Sequence, residues 1–142
     1  MSILLVESNP IDVEVAREAF ARAMFENQLI VASTGEDALT ILRQEGAHRS
    51  QPRPALVLLD LSLPGMSGRG VLAAIKRDPE LRPIPVVVLS SSNSPYDVAD
   101  AYDLNANAFV RKPVSLEHFG SVVALVRDFW LHAATLPRTL AA

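Results

Sequence analysis

The chain contains no cysteine, which removes disulfides, thiolate metal sites and a cysteine nucleophile together. No apolar run approaches the ~20 residues needed to cross a bilayer. There is no basic-then-apolar leader either, because Met1-Ser2 runs directly into Ile3-Leu4-Leu5-Val6 and then Glu7. A basic surplus is also missing: the formal net charge is −3, which argues against a general nucleic-acid binder. No glycine-rich, phosphate-cradling loop follows the first apolar run, and no internal repeat has a solenoid or propeller period. The expectation is a soluble cytoplasmic protein with neither a membrane nor a nucleic acid as partner. With 142 residues, 49% of them hydrophobic and 20% charged, the chain fits one globular domain that buries a core without covalent staples.

One stretch organises the rest. Ala55-Leu56-Val57-Leu58-Leu59 reads as a strand buried on both faces, and it ends at Asp60. Leu61-Ser62-Leu63-Pro64-Gly65-Met66-Ser67-Gly68 follows as turn chemistry. Open α/β sheets bind ligands in the crevice outside the carboxyl ends of their strands, so Asp60 is the candidate chemical centre. A plain loop or helix cap is the competing reading of that residue taken alone.

Strands are expected over Ile3–Val6, Gln28–Ala32, Ala55–Asp60, Ile84–Leu89 and Ala108–Arg111. Five helices alternate with them. Asn9 with Pro10, Ser94 with Pro95, and Ser115 mark three helix starts. The first helix carries Val13, Ala16, Phe20 and Ala23-Met24 on its apolar positions. Residues 45–54 read as a long surface loop, and a tail is expected from Leu131 to Ala142 after a domain spanning residues 1–130. Alternation of this kind implies an α/β fold: a parallel sheet with helices on both faces, a three-layer (βα)5 sandwich of flavodoxin-like order 2-1-3-4-5. In that order Glu7 and Ser8, Asp60, Ser90 and Lys112 all stand at the carboxyl ends of neighbouring strands. His48, His118 and His132 lack metal-ligand spacing and read as structural or surface residues.

With these residues assembled, the chain resembles the receiver domains of two-component response regulators, the CheY-like family, over about Ser2 to Trp130. The motifs are the strand-end acid with its Leu-x-Leu-Pro-Gly-Met-x-Gly loop, the hydroxyl after the fourth strand and Lys112-Pro113 after the fifth. Phe129-Trp130, Leu136-Pro137 and the loop around Gln44 to Pro54 are similar to the small receivers that partner bacterial phytochrome kinases. The resemblance implies that Asp60 accepts a phosphoryl group from a kinase phosphohistidine. It also implies that Mg²⁺ sits on Glu7, Asp60 and the Ser62 carbonyl, that Lys112 pairs with the phosphoryl group, and that Ser90 and Phe109 act as the switch. A receiver of this kind is a signalling phosphoacceptor and not an enzyme acting on free substrates. A phosphohydrolase would need an acid two residues after the nucleophile, where Ser62 stands.

Ser8 breaks the family pattern, which has a second acid there. The expectation is a site with two carboxylates instead of three and weaker Mg²⁺ binding, since ligand charge sets divalent-ion affinity. A phosphorylation-independent dimerisation or scaffold module is therefore the alternative function, although Asp60, Ser90 and Lys112 are all retained. Output is expected through protein contact. Asp97, Asp100 and Asp103 on the fourth helix, Arg111 on the fifth strand and Arg127, Phe129 and Trp130 on the last helix suggest a homodimer through helix 4, strand 5 and helix 5.

Overall fold

The computed structural model describes residues 1–23 and 28–137. Met24, expected on the first helix, and residues 138–142 of the expected tail lie outside the described residues. The strands are β1 (Ser2–Val6), β2 (Gln28–Ala32), β3 (Leu56–Asp60), β4 (Val86–Ser90) and β5 (Ala108–Arg111). They form one sheet of order β2-β1-β3-β4-β5 with every pairing parallel. The helices are α1 (Pro10–Arg22), α2 (Gly35–Leu42), α3 (Gly68–Arg77), α4 (Pro95–Asp103) and α5 (Leu116–Val126). This is the doubly wound, flavodoxin-like architecture anticipated from the alternation.

The three central strands are continuous apolar runs because both faces of the sheet are covered. Their side chains alternate between two cores with the period of a strand. Leu4, Val6, Val57, Leu59, Val86 and Val88 face one side, packing with α2 and α3 residues such as Leu42, Val71, Leu72 and Ile75. Ile3, Leu5, Leu56, Leu58, Val87 and Leu89 face the other, against Ala16, Phe20, Phe119, Val123 and Val126 of α1 and α5.

Helix starts follow local chemistry. The Asn9 side chain accepts from the Ile11 and Asp12 amides and Pro10 occupies the first turn of α1. Thr34, Ser67, Ser94 and Ser115 cap α2, α3, α4 and α5 in the same manner. The 45–54 loop contains a 3-10 turn at Gly46–His48, and Arg53 pins it by donating to the Leu42 carbonyl at 2.7 Å. After α5 the helical path continues as a π-helical segment, Arg127–Ala133. The domain end expected at Trp130 falls inside this segment, and both Trp130 and Leu131 still pack on the core.

The sheet's carboxyl edge is set by register. Asp60 lies opposite Leu89 and Ser90 opposite Arg111, so the ends of β3, β4 and β5 finish at one level. The Lys112 amide donates to the Ser90 carbonyl at 2.7 Å, which extends that alignment one residue past β5. The opposite edge is held by Asn107, whose Oδ1 accepts from the Val86 amide at 2.8 Å and from Lys76 Nζ at 3.0 Å.

Candidate functional site

The β3–α3 turn fixes Asp60. The Ser62 amide donates to Asp60 Oδ1 at 2.9 Å, closing a turn over the carboxylate, and the Gly68 amide returns to the Leu61 carbonyl at 3.2 Å. A Cβ at Gly68 would stand 2.5 Å from the Leu61 Cα and 2.6 Å from the Asp60 carbonyl oxygen. Only glycine lets α3 begin so close behind Asp60.

Glu7, the strand-end acid of β1, is not a solvated residue: it and Asp60 are each 3% exposed. Glu7 Oε2 accepts from the Ser8 amide at 2.9 Å. Its other oxygen is in direct contact with Lys112 Nζ, which also lies 3.0 Å from Asp60 Oδ2. Burial pushes the Glu7 carboxyl up to about 7, the adjacent Asp60 adds to the rise, and Lys112 opposes it. Burial alone would lower Lys112, but its hydrogen bonds to Asp12, Glu7 and Asp60 outweigh that and hold its ammonium above the ordinary lysine value. Ser90 is buried at the end of β4, and its Oγ accepts from the Ser92 amide at 3.2 Å.

Sequence reasoning missed Asp12. Its Oδ2 lies 2.8 Å from Lys112 Nζ, so three carboxylates surround the ammonium, one more than the two expected at the cation site. The signal was available: with Asn9 as cap, Asp12 is the third helical residue, whose side chain points back over the chain entering the helix.

The donor set suits a small divalent cation. Glu7 and Asp60 are hard oxygen donors crowded together in a buried crevice, where burial and then the neighbouring Asp60 raise the Glu7 carboxyl. Among the described residues no group of three acids or histidines forms a metal cage of its own. Two carboxylates plus a backbone carbonyl, with waters completing the shell, is how Mg²⁺ is commonly held.

The expected output surface is only partly assembled. Asp97 and Asp100 face Arg69 of their own chain, Asp97 pairing with it and the exposed Asp100 lying 3.7 Å away. Asp97 also accepts from Ser92 Oγ at 2.6 Å. Arg127 pairs with Asp128 at 3.0 Å and lines a groove of about 610 Å³ with Ala19 and Arg22 of α1 and Ala23 at its C-cap. It therefore sits on the α1 side of α5, away from α4. Asp103 and Arg111 are exposed. Phe109 is half-buried against the α2–α3 core, and its amide donates to the Tyr102 hydroxyl at 3.2 Å. Phe129 is exposed and meets Trp130 edge-on, with ring centroids 4.9 Å apart. His48 binds Gln51 at 3.1 Å within its loop, whereas His118 and His132 are exposed.

A 2-1-3-4-5 parallel sheet with buried acids, a lysine and a hydroxyl at its carboxyl edge defines an α/β receiver-type domain. The sequence profile of the response regulator receiver domain matches residues 3–124, and the chain belongs to that family. It is similar to the response regulator Rcp1 of Synechocystis sp., 40% identical over 95% of this chain and 92% of Rcp1. Among solved structures, the phosphorylated cyanobacterial phytochrome response regulator RcpA superimposes with a TM-score of 0.90 at 42% identity, covering 96% of this chain and 98% of RcpA. The Mn²⁺-bound form of Rcp1 does so with a TM-score of 0.87 at 39% identity, covering 96% of this chain and 99% of Rcp1. Receiver-domain response regulators are signalling proteins of two-component systems.

Proposed function

We propose that this receiver takes a phosphoryl group on Asp60 from the phosphohistidine of a phytochrome-type histidine kinase. The observation that carries the reading is the Lys112 ammonium 3.0 Å from Asp60 Oδ2 in a crevice shared with Glu7. In the transfer an Asp60 oxygen forms the new O–P bond as the P–N bond breaks, and the imidazole leaves with that electron pair. Phosphoryl transfer is mostly positioning and charge stabilisation. Lys112 provides a point charge for the phosphoryl oxygens, and the Ser62 turn aims the nucleophile. Mg²⁺, held by Glu7, Asp60 and the Ser62 carbonyl, would neutralise charge on the phosphoryl oxygens. Ser90 would donate its hydroxyl to the product, and its Oγ can go on accepting from the Ser92 amide while it does so. The kinase class rests on similarity to Rcp1 and RcpA. The test is intact mass after incubation with acetyl phosphate and Mg²⁺. Wild type gains one phosphoryl mass and Asp60→Asn gains none. A wild type that stays unmodified, both here and with a phytochrome kinase, refutes the reading and favours a phosphorylation-independent module.

A homodimer contact would rest on apolar burial. Exposed ion pairs contribute only ~0–1 kcal/mol each, and Asp97, Asp100 and Arg127 already have partners within the chain. Leu125 and Phe129, 68% and 56% exposed and one turn apart, are the apolar strip that would carry a two-fold contact. Sedimentation at micromolar concentration gives dimers that Phe129→Asp dissolves, and a monomer throughout removes the idea.

A further inference from the structure

Lys112 has three anchors, and they are not equivalent. The Glu7 and Asp60 side chains are 4% exposed and lie deep in the crevice, whereas Asp12 is 31% exposed and holds the ammonium from the solvent side. Asp12 is itself fixed at the start of α1, where its amide meets Asn9 Oδ1 at 3.4 Å. The two deep carboxylates are the ones a divalent cation would use, so cation and lysine compete for the same oxygens. Asp12 is the anchor that this competition leaves to Lys112.

We infer that Asp12 is a positioning residue for phosphoryl transfer: it tethers the Lys112 ammonium at the mouth of the crevice when Glu7 and Asp60 turn to the cation, and it supplies from α1 the third carboxylate that Ser8 lacks. The inference rests on the phosphoacceptor reading. Without Asp12 the lysine rests on Glu7 and Asp60 alone and blocks them, and the crevice also loses one negative charge. Both effects weaken cation binding. Loss of one unit charge a few ångströms from a divalent ion in a hydrated site corresponds to roughly tenfold in affinity. An untethered lysine also slows transfer after the cation is saturated.

The experiment is calorimetric titration of Mg²⁺ into the full chain, paired with initial rates of phosphoryl incorporation from acetyl phosphate at saturating Mg²⁺. The variants are Asp12→Asn, Asp12→Glu, Ser8→Asp and the double variant Ser8→Asp/Asp12→Asn, each checked for a wild-type thermal transition. Asp12→Asn binds Mg²⁺ about tenfold more weakly and transfers more slowly at saturation. Asp12→Glu keeps both properties near wild type, and the double variant regains metal affinity while its saturated rate stays low. Should Asp12→Asn fail to fold, Asp12→Ser takes its place. The inference is overturned if the Asp12 variant matches wild type in affinity and rate, or if Ser8→Asp restores none of the lost affinity. A wild type that binds Mg²⁺ but takes no phosphoryl group refutes the phosphoacceptor reading instead.

Discussion

Glu7 gives the sharpest numerical prediction. Burial, then the neighbouring Asp60, move its carboxyl from an ordinary 4.5 up to about 7, against the pull of Lys112. The folded chain thus holds this proton more tightly than the unfolded chain does. The stability that results is complete below about 4.5 and is lost as pH rises through about 7. At roughly 1.4 kcal/mol per pH unit, the interval corresponds to a ceiling of about 3 kcal/mol. For a domain of this size about 3 kcal/mol is roughly 6–12 °C in Tm. Lys112 adds no slope in this window, because its shift is upward from 10.5 and the ammonium stays charged throughout. The metal-free protein should therefore melt lower at pH 8 than at pH 5. Glu7→Gln carries no titrating group and should lose most of that slope, and Mg²⁺ should remove it from the wild type by neutralising the ionised pair. Thermal melts followed by circular dichroism at four pH values, with chelator or with Mg²⁺, measure all three. A metal-free wild type whose Tm does not fall with pH refutes the argument, as does a Glu7→Gln variant with an unchanged slope.

Three further perturbations test the scaffold. Gly68→Ala forces a methyl group against the Leu61 Cα and the Asp60 carbonyl oxygen, both backbone atoms. Overpacking of this kind costs about 1–3 kcal/mol, and phosphoryl incorporation should fall with it because the turn behind Asp60 must move. Asn107→Ala strips an acceptor from the Val86 amide and from Lys76 Nζ. A lower urea midpoint at unchanged m-value should report a loss of about 1–3 kcal/mol. Arg69→Ala removes an exposed tether on Asp97. Global stability should change by no more than ~1 kcal/mol, while amide exchange at Ser94 quickens, because Ser92 Oγ, held by Asp97, is the acceptor for the Ser94 amide.

The fold was legible because the sequence states it redundantly. Runs such as Leu56–Leu59 and Val86–Leu89 are apolar at every position, which only a strand covered on both faces requires. Asn9-Pro10 and Ser94-Pro95 fix helix starts by capping chemistry that needs no tertiary context. Glu7, Asp60, Ser90 and Lys112 were legible for a related reason: strand order converts sequence position into spatial position at the carboxyl edge. Asp12 escaped because it belongs to a helix and reaches the crevice sideways, through a side-chain direction that strand-end reasoning ignores. The partners of the charged residues on the expected output surface escaped for the opposite reason. Asp97 and Asp100 do share a stripe, but Arg69 comes from an element 28 residues earlier than Asp97, and no local pattern announces that pairing. Arg127 was assigned to a face by charge alone, whereas the packing of α5 against α1 decides where it points.

The same charge crowding explains why the site is poised and not merely stable. Burying two carboxylates with one ammonium is a weak way to hold a protein together, since desolvation offsets most of the attraction. Here the arrangement is also under-neutralised: Glu7, Asp12 and Asp60 face a single Lys112. Full ionisation leaves two negative charges unmatched, and in the metal-free chain burial and then the neighbouring Asp60 raise the Glu7 carboxyl. A divalent cation cancels that excess; a monovalent ammonium cannot. Asp12 changes the meaning of the Ser8 substitution within this balance. With a serine at the end of β1 and a carboxylate at the start of α1, the third negative charge of the crevice lies beside the lysine. The site should therefore keep its need for a divalent ion while gripping it less directly, and Lys112 should be more tightly oriented than the cation. Exchanging the two positions, Ser8→Asp with Asp12→Ser, isolates that trade. Mg²⁺ affinity should rise, and the transfer rate at saturating Mg²⁺ should fall. A swap that raises both would show that Lys112 needs no tether.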